Sequence, residues 1–101
     1  MFTTIKFKEN GIAVMTIDRQ EALNALNAEV ISDIEEIIGE VENDPKIRAL
    51  IITGAGRSFV AGADIGAQSV LDVEGGRIWG QRGSRLMRRI ELLEIPTIAA
   101  V

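Results

Sequence analysis

The feature that most constrains the fold is a helical stripe of apolar residues followed almost at once by an apolar strand. The stripe comprises Val30, Ile31, Ile34, Ile37, Ile38 and Val41, which recur at the spacing of one face of an α-helix. Asn27 stands where a helix N-cap is expected, and Asn43-Asp44-Pro45 ends the pattern. Ile47 to Thr53 is nearly all apolar, which is typical of a strand buried on both faces. A helix that leads so quickly into a strand indicates a β-α-β crossover.

The residues before this helix predict a β-hairpin. Thr3 to Lys8 alternates apolar and polar side chains, as a half-buried strand does. Asn10-Gly11 is a strong signal for a two-residue hairpin turn. Ile12 to Ile17 is therefore predicted as the partner strand, with Ile12, Val14 and Thr16 on one face.

The second half of the chain predicts further helices and a final strand. Asp64 to Leu71 is predicted as a short helix and Asp72 to Glu94 as a long one. One stripe of the long helix comprises Trp79, Gly83, Leu86, Ile90 and Leu93. Pro96 ends it, and Thr97 to Val101 is predicted as another buried strand. The order ββαβ-αβ predicts a mixed α/β domain, for which a doubly wound sheet is one arrangement.

Composition excludes several classes of protein. The chain has 101 residues, which predicts one domain without an internal boundary, and its net charge of -4 argues against nucleic-acid binding. It contains neither cysteine nor histidine, which excludes a disulfide framework, a Ser-His-Asp triad and most zinc sites. No residues have metal-ligand spacing, and no apolar run approaches membrane-spanning length. We therefore expect neither a metal nor a membrane partner. No secretory signal is visible, so we expect a cytoplasmic protein.

A run of small residues follows the strand that ends at Thr53. Within Gly54 to Ile65, the side chains of Ala61, Gly62 and Ala63 are small enough for a ligand to approach the backbone, just where a helix is predicted to begin. The first backbone N–H groups of a helix are unpaired and can bind an anion or a developing oxyanion. The alternative is a strand-to-helix turn whose residues are small only for packing. The dinucleotide fingerprint G-x-G-x-x-G fails, because its third glycine would fall on Phe59.

Four segments of the chain, in this order, resemble the crotonase superfamily of enoyl-CoA hydratases and isomerases. They are Ala22-Leu23-Asn24-Ala25-Leu26, Leu50-Ile51-Ile52-Thr53-Gly54, Phe59-Val60-Ala61-Gly62-Ala63-Asp64-Ile65 and Ile95-Pro96-Thr97-Ile98-Ala99-Ala100-Val101. The resemblance implies an α/β fold, namely the N-terminal part of the crotonase-like ββα spiral over residues 1–101, with an incomplete core.

The same resemblance implies the site. The backbone N–H of Ala63 would be one donor of the oxyanion hole that binds the thioester oxygen of acyl-CoA. The CoA- and substrate-binding residues would be Leu23, Asn24, Ala25, Ala61, Gly62, Ala63, Asp64 and Ile65. Asn24 also has an alternative role as a turn residue that fixes its own backbone. Asp64 is better explained as a carboxylate that caps a helix start than as a general base.

The implied reaction is water addition to an α,β-unsaturated acyl-CoA, a lyase step of fatty acid metabolism. It needs no cofactor beyond coenzyme A within the substrate, and the complete enzyme is expected to be a trimer or a dimer of trimers. The resemblance places the second oxyanion donor and the catalytic glutamates after Val101. We therefore expect the 101 residues alone not to turn over substrate.

The charged residues of the sequence do not decide which cations would anchor the CoA phosphates. Glu21 and Gly66 stand where relatives often carry cations that face phosphates. Arg82, Arg85 and Arg89 share one face of the long predicted helix, where they are available to CoA phosphates or a neighbouring subunit, or form a solvated face. Besides the acyl-CoA enzyme, two functions remain open: a non-catalytic crotonase-like assembly module and a small Rossmann-type nucleotide-binding domain.

Overall fold

The computed structural model describes residues 2–56, 59–60 and 73–101 of the chain. Within these residues the elements are β1 (Thr3–Phe7), β2 (Ile12–Ile17), α1 (Ala28–Asn43), β3 (Ala49–Gly54), α2 (Val73–Glu91) and β4 (Thr97–Ala100). The strands form one sheet in the order β1-β2-β3-β4; β1 and β2 are antiparallel, and the other neighbours are parallel. This confirms the predicted order of elements and the crossover through α1.

The hairpin between β1 and β2 forms at the predicted position, but four residues, 8–11, connect the strands instead of the predicted two. Asn10 and Gly11 both adopt left-handed backbone conformations, with φ of 63° and 77°, and Lys8 N donates to Ile12 O at 2.7 Å. A Cβ at Gly11 would lie 2.5 Å from Lys46 O. Glycine is therefore needed here both for its φ and for the close approach of the chain before β3.

Helix α1 supplies half of the buried apolar residues that the structure describes. The Asn27 side chain accepts from Val30 N at 2.9 Å, which confirms the predicted N-cap. All six residues of the predicted stripe are buried. Burying one such aliphatic side chain contributes about 1.5–3 kcal/mol, so this face holds the helix on the sheet. The helix ends at Asn43, as predicted.

The sheet turns towards the core the face of β2 that carries Ala13, Met15 and Ile17. Ala13, Met15 and Ile17 are buried, whereas the predicted set Ile12, Val14 and Thr16 is half-buried on the other face. Alternation shows which residues share a face but not which face the helix will cover. In β3, Leu50 is fully buried and the other residues are half-buried, so the prediction of burial on both faces is only partly met.

Strand β4 forms as predicted but is exposed rather than buried. Its register pairs Leu50 with Thr97 and Thr53 with Ala100, and Thr53 Oγ1 donates to Ala100 O at 3.0 Å. All four of its residues are nevertheless exposed, and Ile98 is 54% exposed. The strand lies at the edge of the sheet, where an apolar composition does not by itself provide a covering layer.

Helix α2 occupies Val73–Glu91, within the predicted range of Asp72 to Glu94. Leu86 is buried, and Trp79, Ile90 and Leu93 are half-buried against the core, which confirms the predicted stripe. The predicted short helix over 64–71 lies outside the described residues.

Candidate functional site

The structure describes one of the two predicted binding segments. Leu23, Asn24 and Ala25 lie between β2 and α1, directly after a short 3-10 turn over Gln20–Ala22. Ala61, Gly62, Ala63, Asp64 and Ile65 lie outside the described residues, so the roles of these five stay predictions.

The first segment and the start of the small-residue loop meet at the end of the sheet where the parallel strands β2 and β3 finish. Ile17 and Gly54, the last residues of β2 and β3, are partners in the parallel register. Ala55 N donates to Ile17 O at 2.8 Å, one step beyond the ladder. In sheets with parallel strands, ligands bind at the carboxyl ends of the strands. The fold therefore brings the first segment and Ala55, the residue that follows β3, to the end of the sheet where a ligand site is expected.

Asn24 joins the two segments through its side chain. The residue is fully buried. Its Oδ1 accepts from Arg19 N at 2.7 Å, and its Nδ2 donates to Ala55 O at 2.9 Å, across 31 positions of sequence. Its own N–H donates to Arg19 O at 2.8 Å. This geometry favours the alternative in which Asn24 fixes backbone rather than contacts a ligand.

The backbone at this corner is strained. Leu23 and Asn24 are consecutive left-handed residues, with φ of 52° and 61°. The left-handed conformation costs roughly 1–2 kcal/mol for an ordinary residue and less for asparagine. Such conformations persist where the surroundings enforce them, and they cluster at functional sites. The Leu23 side chain is 37% exposed as a result, so it presents apolar surface beside the loop.

Gly56 is held close to the same segment. Its φ is 77°, and a Cβ at this position would lie 2.5 Å from Gln20 Oε1. Gln20 Nε2 in turn donates to Asp18 Oδ1 at 2.9 Å. Gln20 Oε1 is the end of a long side chain that can move aside, so it is mainly the left-handed φ of Gly56 that favours glycine at the start of the loop.

Arg19 is the cation of this corner. Its Nη1 donates to Ala25 O at 3.0 Å, and its guanidinium lies 5.8 Å from the ring centroid of Phe2. Glu21 Oε1 lies 3.9 Å from its Nε. Arg19 thus stabilises the backbone of Leu23–Ala25, the predicted CoA-side segment. The Glu21 carboxylate adds an exposed negative charge beside this segment.

A groove of about 840 Å³ runs between α2 and the entry to α1. Its apolar lining comes from Leu26, Ile31, Trp79 and Met87. Among the described residues, nothing lies within 4 Å of where a Cβ would stand at Gly76, Gly80 or Gly83, which also line the groove. The sequence analysis missed this groove, although the glycines spaced along one helix face were a signal for it.

The arginines of α2 mostly bind carboxylates rather than standing free. Arg82 Nη2 donates to Glu35 Oε1 of α1 and to Ser32 Oγ, both at 2.7 Å. Arg89 Nη2 donates to Glu42 Oε1 at 2.7 Å. The hydrogen bond from Arg82 lowers the pKa of Glu35, and that from Arg89 lowers the pKa of Glu42. Both arginines therefore link the two helices.

Arg85 and Arg88, which lie between Arg82 and Arg89 on this helix, are both exposed, and Arg88 pairs with Glu91. Within the described parts of the chain, no group of His, Cys, Asp and Glu residues could hold a metal ion. No helix described there has both the length and the apolar character to span a bilayer.

Comparison with known proteins gives consistent matches. The model of the family "Enoyl-CoA hydratase/isomerase" matches residues 7–101. The short-chain-enoyl-CoA hydratase of Clostridium acetobutylicum is 50% identical over 95 residues, which cover 93% of this chain and 36% of that protein. The crotonyl-CoA hydratase of Syntrophomonas wolfei is 44% identical over the same shares of the two chains.

Solved structures agree in fold. The crystal structure of an enoyl-CoA hydratase from Mycobacterium smegmatis matches with a TM-score of 0.93 and 26% identity, over 98% of this chain and 39% of that one. One from Thermoplasma volcanium matches with a TM-score of 0.90 and 28% identity, over the same shares. The chain spans 36% of the length of each of the two hydratases from Clostridium acetobutylicum and Syntrophomonas wolfei.

Proposed function

This chain belongs to the enoyl-CoA hydratase/isomerase family, and we propose that it is the acyl-CoA-binding part of an enzyme that adds water to an α,β-unsaturated acyl-CoA. One observation carries the proposal. The CoA-side segment is joined through Asn24 to Ala55, at the start of the loop that holds the predicted oxyanion donor. An apolar groove lies between α2 and the residues that follow the same segment.

The proposed chemistry follows from where charge develops. Water adds to the β-carbon of the thioester, and the electron pair of the double bond moves through the α-carbon to the carbonyl oxygen. The Ala63 N–H would donate to that oxygen, because a preorganised donor stabilises the enolate more than the neutral thioester. The enolate electron pair then re-forms the carbonyl while the α-carbon takes up a proton, so that water has supplied a hydroxyl group to the β-carbon and a proton to the α-carbon. The family resemblance assigns the water and the α-proton to glutamates beyond the 101 residues.

We assign the acyl chain to the groove of Leu26, Ile31, Trp79 and Met87. Its apolar side chains favour a hydrocarbon over a charged ligand, because burial of apolar surface contributes about 25 cal/mol per Å². The exposed face of Leu23 and the backbone of Ala25 would receive the nucleotide end of CoA. The support for this is their position beside the loop start, with Arg19 as the nearby cation.

The remaining assignments rest on the resemblance. We propose that the reaction uses no cofactor other than CoA in the substrate, that the complete enzyme is a trimer or a dimer of trimers, and that it is cytoplasmic. Sedimentation of the intact protein tests the assembly. A monomer at micromolar concentration would contradict it.

The decisive experiment is Ala63→Pro in the intact protein that carries this chain, assayed for hydration of crotonyl-CoA. Proline has no N–H, so we expect kcat to fall by about 10²–10³, the usual cost of one oxyanion donor. Ala63→Gly, which keeps the N–H, is the matched control and should retain most of the activity.

An unchanged rate in the Ala63→Pro protein would contradict the oxyanion assignment. Wild-type protein that binds CoA but never hydrates crotonyl-CoA would instead favour the non-catalytic assembly module. Circular dichroism of each variant checks that the fold is retained.

A further inference from the structure

We propose that Asn24 is a positioning residue that ties the CoA-side segment to the loop carrying the oxyanion donor, so that it governs kcat rather than CoA binding. The proposal rests on the proposed function above. It differs from the sequence-based assignment, in which Asn24 itself lines the CoA site.

The contacts leave the Asn24 amide directed into the protein. Its Oδ1 accepts from Arg19 N and its Nδ2 donates to Ala55 O, at 2.7 and 2.9 Å. The residue is 0% exposed. A side chain that is fully covered and bonded at both ends of its amide has no surface to offer a ligand.

The bond to Ala55 is placed where it controls the direction of the loop. Ala55 is the first residue after β3, and its N–H already donates to Ile17 O at 2.8 Å. Its carbonyl is held by Asn24. Both backbone polar groups of Ala55 are therefore bonded, which fixes the backbone at the point where the chain leaves β3. Ala63 follows eight residues later.

A second contact acts at the next residue. Gly56, with φ of 77°, lies so close to Gln20 that a Cβ would come within 2.5 Å of Gln20 Oε1. Gln20 belongs to the 3-10 turn that leads directly into Leu23–Ala25, so this part of the chain lies against both Ala55 and Gly56. Leu23 and Asn24 both have left-handed φ values where Asn24 bonds to Ala55.

This geometry predicts a separation of kinetic effects. Small displacements of a catalytic donor, on the order of 1 Å, can cost about 10²-fold in rate. Loss of a residue that binds the ground state and the transition state equally raises KM and leaves kcat unchanged. Loss of a positioning residue should instead lower kcat and leave KM unchanged.

The test is Asn24→Asp in the intact protein. The substituted side chain still offers an oxygen to Arg19 N but places an oxygen, not an N–H, against Ala55 O. We expect kcat for crotonyl-CoA hydration to fall at least about tenfold, with KM and the Kd for free CoA within about twofold of wild type. Hydrogen exchange at the Ala55 amide should accelerate.

Asn43→Asp is the matched control. The Asn43 Nδ2 also donates to a carbonyl, Gly39 O at 2.8 Å, but it is exposed at the end of α1. The same chemical change there should leave kcat and KM unchanged.

The outcomes separate the two proposals. A raised KM with unchanged kcat makes Asn24 a CoA contact and overturns the inference, as does a variant with wild-type kinetics. Wild-type protein without hydratase activity overturns the proposed function itself. If Asn24→Asp fails to fold, Asn24→Gly keeps the left-handed backbone and removes both side-chain bonds. The same fall in kcat supports the inference, and an unchanged kcat overturns it.

Discussion

The two long helices pack against each other but bury different shares of their surfaces. Helix α1 has 16 residues, of which seven are buried. Helix α2 has 19 described residues, of which Leu86 alone is fully buried. Its apolar side chains Ile78 and Met87 remain 53% and 49% exposed.

The helices are held in place by different forces. Helix α1 is attached by apolar side chains that cover the buried face of β2. The contact of α2 with α1 depends in part on two arginine–glutamate pairs, Arg82–Glu35 and Arg89–Glu42. Apolar burial is the dominant stabilising force, and exposed ion pairs contribute little. Helix α1 and the sheet therefore provide most of the stability, whereas α2 keeps apolar surface open on the side of the groove.

The largest effect is expected in the core of α1. Ile38→Ala removes a fully buried side chain, and we expect the free energy of unfolding to fall by about 2–5 kcal/mol. Urea denaturation measures it. Met87→Ala, in the groove of α2, is the control and should cost less than about 1 kcal/mol. Equal losses at the two positions would show that α2 is as important for stability as α1.

A smaller effect is expected where the helices are joined by charge. Arg82→Gln removes the ion pair with Glu35, and we expect a loss of about 0.5–1 kcal/mol. The difference from wild type should shrink in 1 M salt, where the Debye length is about 3 Å. Arg85→Gln provides the matched control, because Arg85 has no ion-pair partner in the described residues. A loss of equal size for Arg85→Gln would count against the interhelical pair.

The smallest effect is expected from pH. Arg82 and Arg89 lower the pKa of Glu35 and Glu42 in the folded protein. A depressed carboxyl pKa contributes stability that is complete above the unfolded pKa, about 4.3, and is lost as the pH falls through the folded value. Unfolding measured from pH 6 to pH 3 should therefore show a steeper loss below about pH 4.3 for wild type than for Arg82→Gln. Parallel curves would show that the pair contributes nothing.

Much of the fold was predictable because its signals are local. The Asn27 cap acts on Val30, three residues away. The hairpin follows from the left-handed preferences of Asn10 and Gly11. The α1 stripe is a matter of helical spacing, and six residues predicted from it are buried. The exposure of β4 was not predictable, since an apolar strand carries no information about which layer covers it.

The candidate site, too, was predictable only in part. The family resemblance implied that Leu23–Ala25 and the loop after β3 both belong to the CoA site, but it left the role of Asn24 open. The bond from Asn24 to Ala55 spans 31 positions, and the bonds from Arg82 and Arg89 to α1 each span 47. Rules based on the spacing of residues along a helix or strand do not predict contacts between residues so far apart in the sequence.

The sequence by itself determined the elements, their order, the hairpin turn, the helix cap and the family of the chain. Each depends on interactions between near neighbours in the chain, or on a pattern of residues that relatives share. Only the tertiary structure decided which face of β2 is buried, that α2 leaves a groove open, and that Asn24 is bonded to the loop start. These depend on which distant segments the packing of the sheet and helices brings within hydrogen-bonding or van der Waals distance.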